Sequence, residues 1–338
     1  MSPVVSVVMP ARNAAATVAE AVASIRAQTL RAWELIAVDD GSLDATAAEI
    51  VRAAEGDPRV HVRTQAHGGI VAALNAGLAR ARAPFVARMD ADDVAFPARL
   101  ERQVAFLEAH PEVGLVSCRV AFGGDPVAAR GYAVHVDWIN SLVDPDEIAR
   151  SRFIESPVAH PSVLFRRELL ERHGGYREEG GPEDYDLWLR WMESGVRFAK
   201  VPEILMRWND PPGRLSRRDA RYDDSAFFAC KCRHLGRWLR AHVAPGRRLF
   251  LWGAGRITRR RFAALGDEGV RFAGYIDPDL RKIGGVVGGI PVIAPEAIPS
   301  REQCFVIGGV GVRGARDLHR AMLTARGFRE GEDFIFAA

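Results

Sequence analysis

The first hundred residues alternate between two kinds of apolar pattern, and this constrains the fold more than any other feature. Short runs at 4–9, 35–38, 60–62 and 84–87 are rich in Val, Ile, Leu and Ala and read as buried strands. Between and after them, apolar residues recur every three or four positions: Val18, Val22 and Ile25; Ile70, Leu74 and Leu78; and, beyond Pro97, Leu100, Val104 and Leu107. That is helix spacing. The segment with Ala45, Ile50 and Val51 reads as helical too. Thr17 and Glu20 also stand at the interval of a capping box. Strands alternating with helices imply an α/β fold with a mostly parallel sheet flanked by helices. In such sheets, ligands bind beyond the carboxyl ends of the strands. Three segments fall there: Pro10-Ala11-Arg12-Asn13, Asp39-Asp40-Gly41-Ser42 and Arg88-Met89-Asp90-Ala91-Asp92-Asp93. Loops far apart in sequence are thereby expected at one crevice.

The last of these carries three carboxylates within four residues. Like charges so close disfavour joint ionisation. Mg²⁺ or Mn²⁺, which prefers oxygen ligands and often takes one or two carboxylates plus substrate phosphates, would relieve them. An acidic turn followed by a helix cap has the same residues. The convergence of three polar loops favours a ligand site.

With Lys+Arg 46 against Asp+Glu 43 the net charge is only +3, too balanced to argue for nucleic acid. Cys118, Cys230, Cys232 and Cys304 show no metal-ligand spacing, which suits reduced thiols in a cytoplasmic setting. Nothing resembles a signal peptide, and no apolar run reaches the roughly 20 residues of a membrane span.

Beyond a strand at 113–117, the stretch 123–148 has no clear period and reads as irregular, with Tyr132 and Trp138 exposed. His160-Pro161-Ser162 follows. Then Glu183-Asp184-Tyr185-Asp186-Leu187-Trp188 opens a helix whose inner face is Leu187, Trp188 and Trp191. Acids at a helix start complement its dipole. An ionised carboxylate there also suits a general base acting on a hydroxyl.

The motifs Val-Val-Met-Pro-Ala-Arg-Asn, Val-Asp-Asp-Gly-Ser, Asn75-Ala76-Gly77 and Met-Asp-Ala-Asp-Asp, in that order, resemble those of the family 2 glycosyltransferases with a GT-A fold. The likeness covers about the first two thirds of the chain. It implies a nucleoside-diphosphate sugar donor, with Asp40 at the base, the Pro10, Ala11, Arg12 and Asn13 backbone nearby, Asp90 and Ala91 near the ribose, and Asp92 with Asp90 on Mg²⁺ or Mn²⁺. It also implies Asp184 as catalytic base, Glu183 as its aid, and His160 and Trp188 on the acceptor side. A single displacement that inverts the anomeric centre follows, onto a saccharide or lipid-linked acceptor of cell-surface polysaccharide synthesis. A lipid-linked acceptor would bring peripheral contact with the inner face of the membrane. Many members carry a histidine after the strand near Leu205. Here Trp208-Asn209-Asp210 and then Arg214 and Arg217 stand instead, which leaves the metal's further protein contact open among Asn209, Asp210 and a purely structural loop.

The expected division is 1–215 for the transferase domain, 216–245 for a helical connector and 246–338 for a smaller Rossmann-like α/β domain. In the last, Gly253-x-Gly255 follows a strand at 249–252 and Asp277 ends another, but Thr258 replaces the third glycine of the dinucleotide fingerprint. A structural or docking role therefore stands beside nucleotide binding. An NAD-linked oxidoreductase acting on a sugar nucleotide lacks a Tyr-x-x-x-Lys constellation. A non-catalytic sugar-nucleotide-binding protein is the other competing reading.

Overall fold

The structure is a computed structural model that describes residues 2–211 and 213–338. The chain forms two compact units. One comprises the residues up to Ala149 with Pro157–Glu178 and Asp186–Arg218, and the other Arg150–Ser156, Glu179–Tyr185 and Asp219–Ala338.

In chain order the first unit draws on β1 (Val5–Ala11), α1 (Val18–Arg26), β2 (Trp33–Asp40), α2 (Thr46–Ala54), β3 (Val60–Gln65), α3 (Gly69–Leu78), β4 (Phe85–Arg88), β5 (Val94–Ala95), α4 (Arg99–Ala109), β6 (Val113–Gly123), α5 (Arg130–Ser141), α6 (Pro145–Ser151), β7 (Leu164–Arg166), α7 (Glu168–His173), α8 (Glu183–Glu193) and β8 (Arg197–Asn209). Among the described residues the strands form one sheet in the order β3-β2-β1-β4-β7-β6-β8-β5. It is the mixed, mostly parallel sheet the alternation implies, with β7 and β5 antiparallel to their neighbours. Side chains of β1 alternate between two apolar layers: Val5, Val7 and Met9 join α1 and α4 in one, and Val8 joins α3 and α8 in the other. A strand covered on both faces needs the near-continuous apolar run seen in the sequence, and Ser6 within it is buried with its hydroxyl donating to Glu34 (2.6 Å).

Two strands run further than their apolar runs suggest. β1 continues through Pro10 to Ala11, paired with β2 up to Ala11↔Asp39. The carbonyl of Val8 accepts the Met89 N–H (3.1 Å) on the β4 side. Pro10 shares that direction, where β4 has already ended at the Val8↔Arg88 pair, so its missing N–H costs no ladder bond. β2 likewise includes Asp39 and Asp40. Two other expectations are corrected. Thr17 precedes α1 but makes no capping-box bond; its hydroxyl donates to the Ala14 carbonyl at 3.3 Å. The stretch 123–148 is largely helical, because Val136, Ile139 and Ile148 bury an apolar face too sparse to read as a period. Tyr132 and Trp138 are half-buried there rather than exposed.

The Asn75-Ala76-Gly77 motif is explained by packing. A Cβ on Gly77 would lie 2.5 Å from Cγ1 of Val8, so only glycine lets α3 meet β1. Asn75 clamps a backbone: its Nδ2 donates to the Tyr176 carbonyl (3.0 Å) and its Oδ1 accepts the Tyr176 N–H (3.2 Å).

The second unit adds α9 (Asp224–His242), β9 (Arg248–Trp252), α10 (Arg256–Arg261), β10 (Phe272–Ile276), β11 (Val286–Val287), β12 (Ile290–Ile293), β13 (Cys304–Gly308), α11 (Ala315–Ala325) and β14 (Phe334–Phe336). Its sheet order is β11-β12-β10-β9-β13-β14, parallel except for β11. The chain winds outward from β9 in both directions, as in doubly wound folds. Lys231 of α9 is fully buried and ties the chain end down, donating to the carbonyls of Ile154 (2.9 Å) and Ala337 (2.8 Å). All four cysteines are buried and unpaired. No helix among the described residues is long and apolar enough to cross a membrane.

Gly77→Ala should destabilise the protein. The clash is with a stiff β-branched side chain in a central strand, at about 1–3 kcal/mol, against a helix-propensity gain of about 1 kcal/mol. A urea midpoint lower than the parent's is expected; an unchanged or higher one contradicts the packing account.

Candidate active site

The pairs Ala11↔Asp39 and Val8↔Arg88 put the loops after β1, β2 and β4 at one end of three neighbouring strands. The structure thus brings Pro10, Ala11, Arg12, Asn13, Asp40, Asp90, Ala91 and Asp92 to the same edge of the sheet. Pro10 and Ala11 are buried in β1, whereas Arg12 and Asn13 are exposed. Asn13 adopts a left-handed backbone, φ +49°, and zips the first loop to the second. Its N–H donates to Ser42 Oγ (2.9 Å) and its Oδ1 accepts the Leu43 N–H (2.9 Å). Asp39 in turn accepts from the Ser42 hydroxyl.

Asp40 is nearly buried and its carboxylate is fully engaged. It accepts the N–H groups of Gly68 and Gly69 (2.9 Å each), Gln65 Nε2 (2.8 Å), and pairs with His67 Nδ1 (2.8 Å). Burial pushes its pKa up, but these donors outweigh burial and hold it below the usual carboxylate range. Asp40 therefore moulds the loop between β3 and α3, which the sequence alone did not disclose.

The acidic turn lies between β4 and β5. Asp90, Asp92 and Asp93 can each offer an oxygen, all within 4.8 Å of one another. Arg88 is buried beneath them and pairs with Asp90. Burial works against its charge, yet Asp90 more than compensates, so its pKa rises. Arg99, at the start of α4, is wholly buried, and its Nη2 donates to the Arg88 carbonyl (2.8 Å). Two guanidiniums thus underlie three carboxylates, and the balance stays unfavourable. Burial, then Asp90, pushes Asp92 up to about 6. Burial, then Asp90 and Asp92, pushes Asp93 well above its ordinary value. Asp93 Oδ1 accepts the Asn209 N–H (2.7 Å), whereas its buried Oδ2 has no partner among the described residues. An all-oxygen donor set, a carboxylate penalised for its charge and an orphaned buried oxygen together fit a hard divalent cation.

The end of β8 closes this side. Asn209 Nδ2 donates to the Asp92 carbonyl (2.6 Å), so its amide shapes the turn. Asp210 is paired with Arg217 (2.5 Å) and Arg214 (3.7 Å). Arg214 lies over the Trp208 ring, 4.2 Å from its centroid, and Arg217 over Tyr132 at 4.7 Å.

His160 and Trp188 belong to the interior of the first unit. His160 shares a 2.6 Å hydrogen bond with the Tyr176 hydroxyl and meets Trp188 edge-on, ring centroids 5.7 Å apart. Burial, then Arg88, pushes its pKa well below the ordinary value, leaving it neutral. Trp188 is fully buried against Trp191 and Phe198, so it supports His160 from behind.

Within the second unit, Glu183 and Asp184 form the first turn of α8. Asp184 Oδ1 accepts the Tyr185 N–H (2.8 Å), satisfying one free donor of the helix start. Glu183 is buried and accepts from the Tyr222 hydroxyl (2.7 Å). Burial, then Glu183 and Asp184, raises the Tyr222 pKa, which keeps the phenol protonated as a donor. Glu155 is raised by burial and by Asp184 against Lys231. Lys231 is pushed down by burial, to about 8, against the pull of Glu155. Arg88, Tyr222, Glu155 and Lys231 were not singled out from the sequence, whereas Asn209 stood there as a candidate metal contact and its Nδ2 is taken up by the Asp92 carbonyl. Only Arg88 had a signal: it stands two residues before Asp90 at a strand end.

In the smaller sheet, Asp277 accepts the Ala254 N–H (3.0 Å) and Lys282 Nζ (2.9 Å). Gly253 (φ +121°) is packed against Thr258 and Val310, while Gly255 faces open space.

A model of the family described as glycosyl transferase family 2 matches residues 6–174. EpsE of Bacillus subtilis (strain 168) is 32% identical over 240 residues, spanning 69% of this chain and 83% of that protein. The amylovoran biosynthesis glycosyltransferase AmsE of Erwinia amylovora is 36% identical over 185 residues, 54% of this chain and 67% of AmsE. Among solved structures, the mannosyltransferase PcManGT of Pyrobaculum calidifontis, in complex with GDP-Man and Mn²⁺, shares 27% identity with a TM-score of 0.52, over 72% of this chain and 66% of that one.

An acid whose folded pKa is raised favours folding below its unfolded value, and that contribution is lost as pH climbs through the folded one. For Asp92 the window runs from the ordinary 3.8 to about 6. Metal-free Asp92→Asn protein should therefore melt higher than the parent at pH 8, and the difference should shrink at pH 4.5. A parent that melts higher than the variant at pH 8 without metal contradicts the electrostatic account.

Proposed function

The chain belongs to the family 2 glycosyltransferases, a family with the GT-A fold, and from that membership we propose a metal-dependent transferase that inverts the anomeric centre. It moves a sugar from a nucleoside-diphosphate sugar to a hydroxyl of a saccharide or lipid-linked acceptor. The observation that carries this is the acidic turn: three carboxylates over only two buried guanidiniums, with Asp92 pushed up to about 6.

Asp92 and Asp90 would hold Mg²⁺ or Mn²⁺. Bound there, the cation supplies Lewis-acid neutralisation of charge developing on the departing diphosphate. Asp40 shapes the nucleotide pocket through the Gly68-Gly69 backbone, and the Pro10 to Asn13 segment forms its other wall. Asn209, in the segment after the strand near Leu205 where many members carry a histidine, holds the Asp92 carbonyl. Arg214, braced over Trp208, offers a guanidinium to phosphate.

Asp184 takes the proton from the acceptor hydroxyl as its oxygen attacks the anomeric carbon, and the bond to the diphosphate oxygen breaks on the opposite side. Glu183, fixed by Tyr222, orients Asp184 and the acceptor. His160, neutral and fixed by Tyr176, serves the acceptor side with Trp188 behind it. The AmsE name supports polysaccharide synthesis as the setting. We place the reaction in the cytoplasm, with peripheral contact at the inner face of the membrane. Residues 1–215 carry the transfer, 216–245 connect, and 246–338 form the accessory domain.

Asp184→Asn should lower turnover by about 10²–10⁴-fold while leaving the Mn²⁺-dependent thermal shift by nucleotide sugar unchanged. A screen of nucleotide sugars by release of nucleoside diphosphate provides the substrate. Loss of the thermal shift with turnover per bound donor preserved would remove Asp184 as the base.

Tyr222→Phe should shift the acidic limb of the kcat profile with donor affinity unchanged, because it removes the donor that fixes Glu183. An unchanged profile assigns Tyr222 to packing alone.

A further inference from the structure

In the smaller sheet, β10, β9 and β13 are adjacent and parallel, and their carboxyl ends are level: Ile276 and Gly308 both pair with Trp252. The three loops that leave those ends therefore emerge side by side, within about two strand spacings of roughly 4.8 Å. Each loop, or the helix it leads into, carries one large apolar residue in solvent. Leu280 is 85% exposed, Val312 69% and Ile257 61%. Single exposed apolar residues are ordinary, but here two of the neighbouring loops carry one each, and the first turn of α10, which ends the third, carries Ile257.

The same loops are strongly basic. Segments 253–260, 277–285 and 309–314 hold Arg256, Arg259, Arg260, Arg281, Lys282 and Arg313 against Asp277 and Asp279, an excess of four where the whole chain's excess is +3. The two aspartates are taken up by Lys282 and Arg281, each at 2.9 Å, and Arg260 lies 3.7 Å from Asp224. Arg256 and Arg313 are exposed and have no carboxylate partner among the described residues. The nucleotide alternative is weakened at this edge. Asp277 already holds the Ala254 N–H and Lys282. Thr258 and Val310 fill the space over Gly253.

We propose that this three-loop rim docks the protein on an anionic lipid bilayer. Isolated apolar side chains on two loops and one helix start suit insertion at the boundary between headgroups and acyl chains, where apolar burial and attraction to anionic lipid add. A protein partner would favour a contiguous, well-packed patch. The proposal rests on the reading of a lipid-linked acceptor and gives it a surface, but its test needs no transfer activity.

The full chain is sedimented with vesicles of phosphatidylcholine, alone and with phosphatidylglycerol added. Binding to the anionic vesicles only, weakened by salt, is expected. Combined Ile257→Ser, Leu280→Ser and Val312→Ser should lower that partition about tenfold or more with melting temperature and release of nucleoside diphosphate in the absence of vesicles unchanged. Arg256→Gln with Arg313→Gln should remove the dependence on phosphatidylglycerol. Asp184→Asn should bind vesicles like the parent, which separates this proposal from the catalytic one. The proposal is overturned if the parent ignores anionic vesicles or if the apolar variant binds them equally well. It is also overturned if the arginine pair instead governs a thermal shift by NAD⁺ or a free nucleoside diphosphate.

Discussion

The pairing of Arg88 with Asp90, under a turn that holds two further carboxylates, is the interaction on which the rest of the first unit depends. Arg88 closes β4 in the middle of the sheet, and its buried guanidinium meets the acidic turn through Asp90. Arg99 braces it from below through the Arg88 carbonyl. Burying cations is costly unless they are paired, and pairing fixes the carboxylates in turn. The result is a rigid anionic surface, short of neutrality, at the carboxyl end of the central strands.

Other parts of the first unit serve to hold loops against that surface. Asn13 and Ser42 join the first two loops, Asp40 gathers four donors from the segment before α3, and Asn209 ties the end of β8 to the acidic turn. Each bond satisfies a backbone group that a loop would otherwise leave to water. The glycines work to the same end. Gly123 has no room for a Cβ beside Asn209, 2.2 Å from its Oδ1, so strand β6 lets that amide stay at the turn. In the second unit a similar principle recurs with different residues: Glu183 is held by a protonated phenol, and Glu155 lies under the influence of buried Lys231.

The alternation of apolar runs was sufficient to read the parallel strands β1 to β4 and β9, because a buried parallel strand leaves a short continuous apolar signal. The antiparallel β5, β7 and β11 are only two or three residues long and carry none. The three convergent loops were legible for the same reason, since parallel topology decides where strand ends lie. What stayed hidden depends on tertiary partners. The engagement of Asp40 by Gln65, His67, Gly68 and Gly69 involves residues 25 or more positions away. Tyr222 meets Glu183 across 39 positions, and no local pattern marks such a pair. Helices α5 and α6 escaped because they bury few residues each. Trp188 reads as an acceptor-side aromatic from the family motif, and its full burial follows from packing against Trp191 and Phe198.

The central claim is that the acidic turn, underpinned by Arg88, retains enough negative charge to take a divalent cation together with a nucleoside diphosphate. Electron paramagnetic resonance of Mn²⁺ tests it directly, because the sharp signal of the free hydrated ion disappears on binding. The account predicts that the parent protein, with nucleoside diphosphate present, removes a single equivalent of free Mn²⁺ signal beyond what the nucleotide alone removes, and that Asp92→Ala removes none. An undiminished free signal with the parent, or equal uptake by the variant, would contradict it.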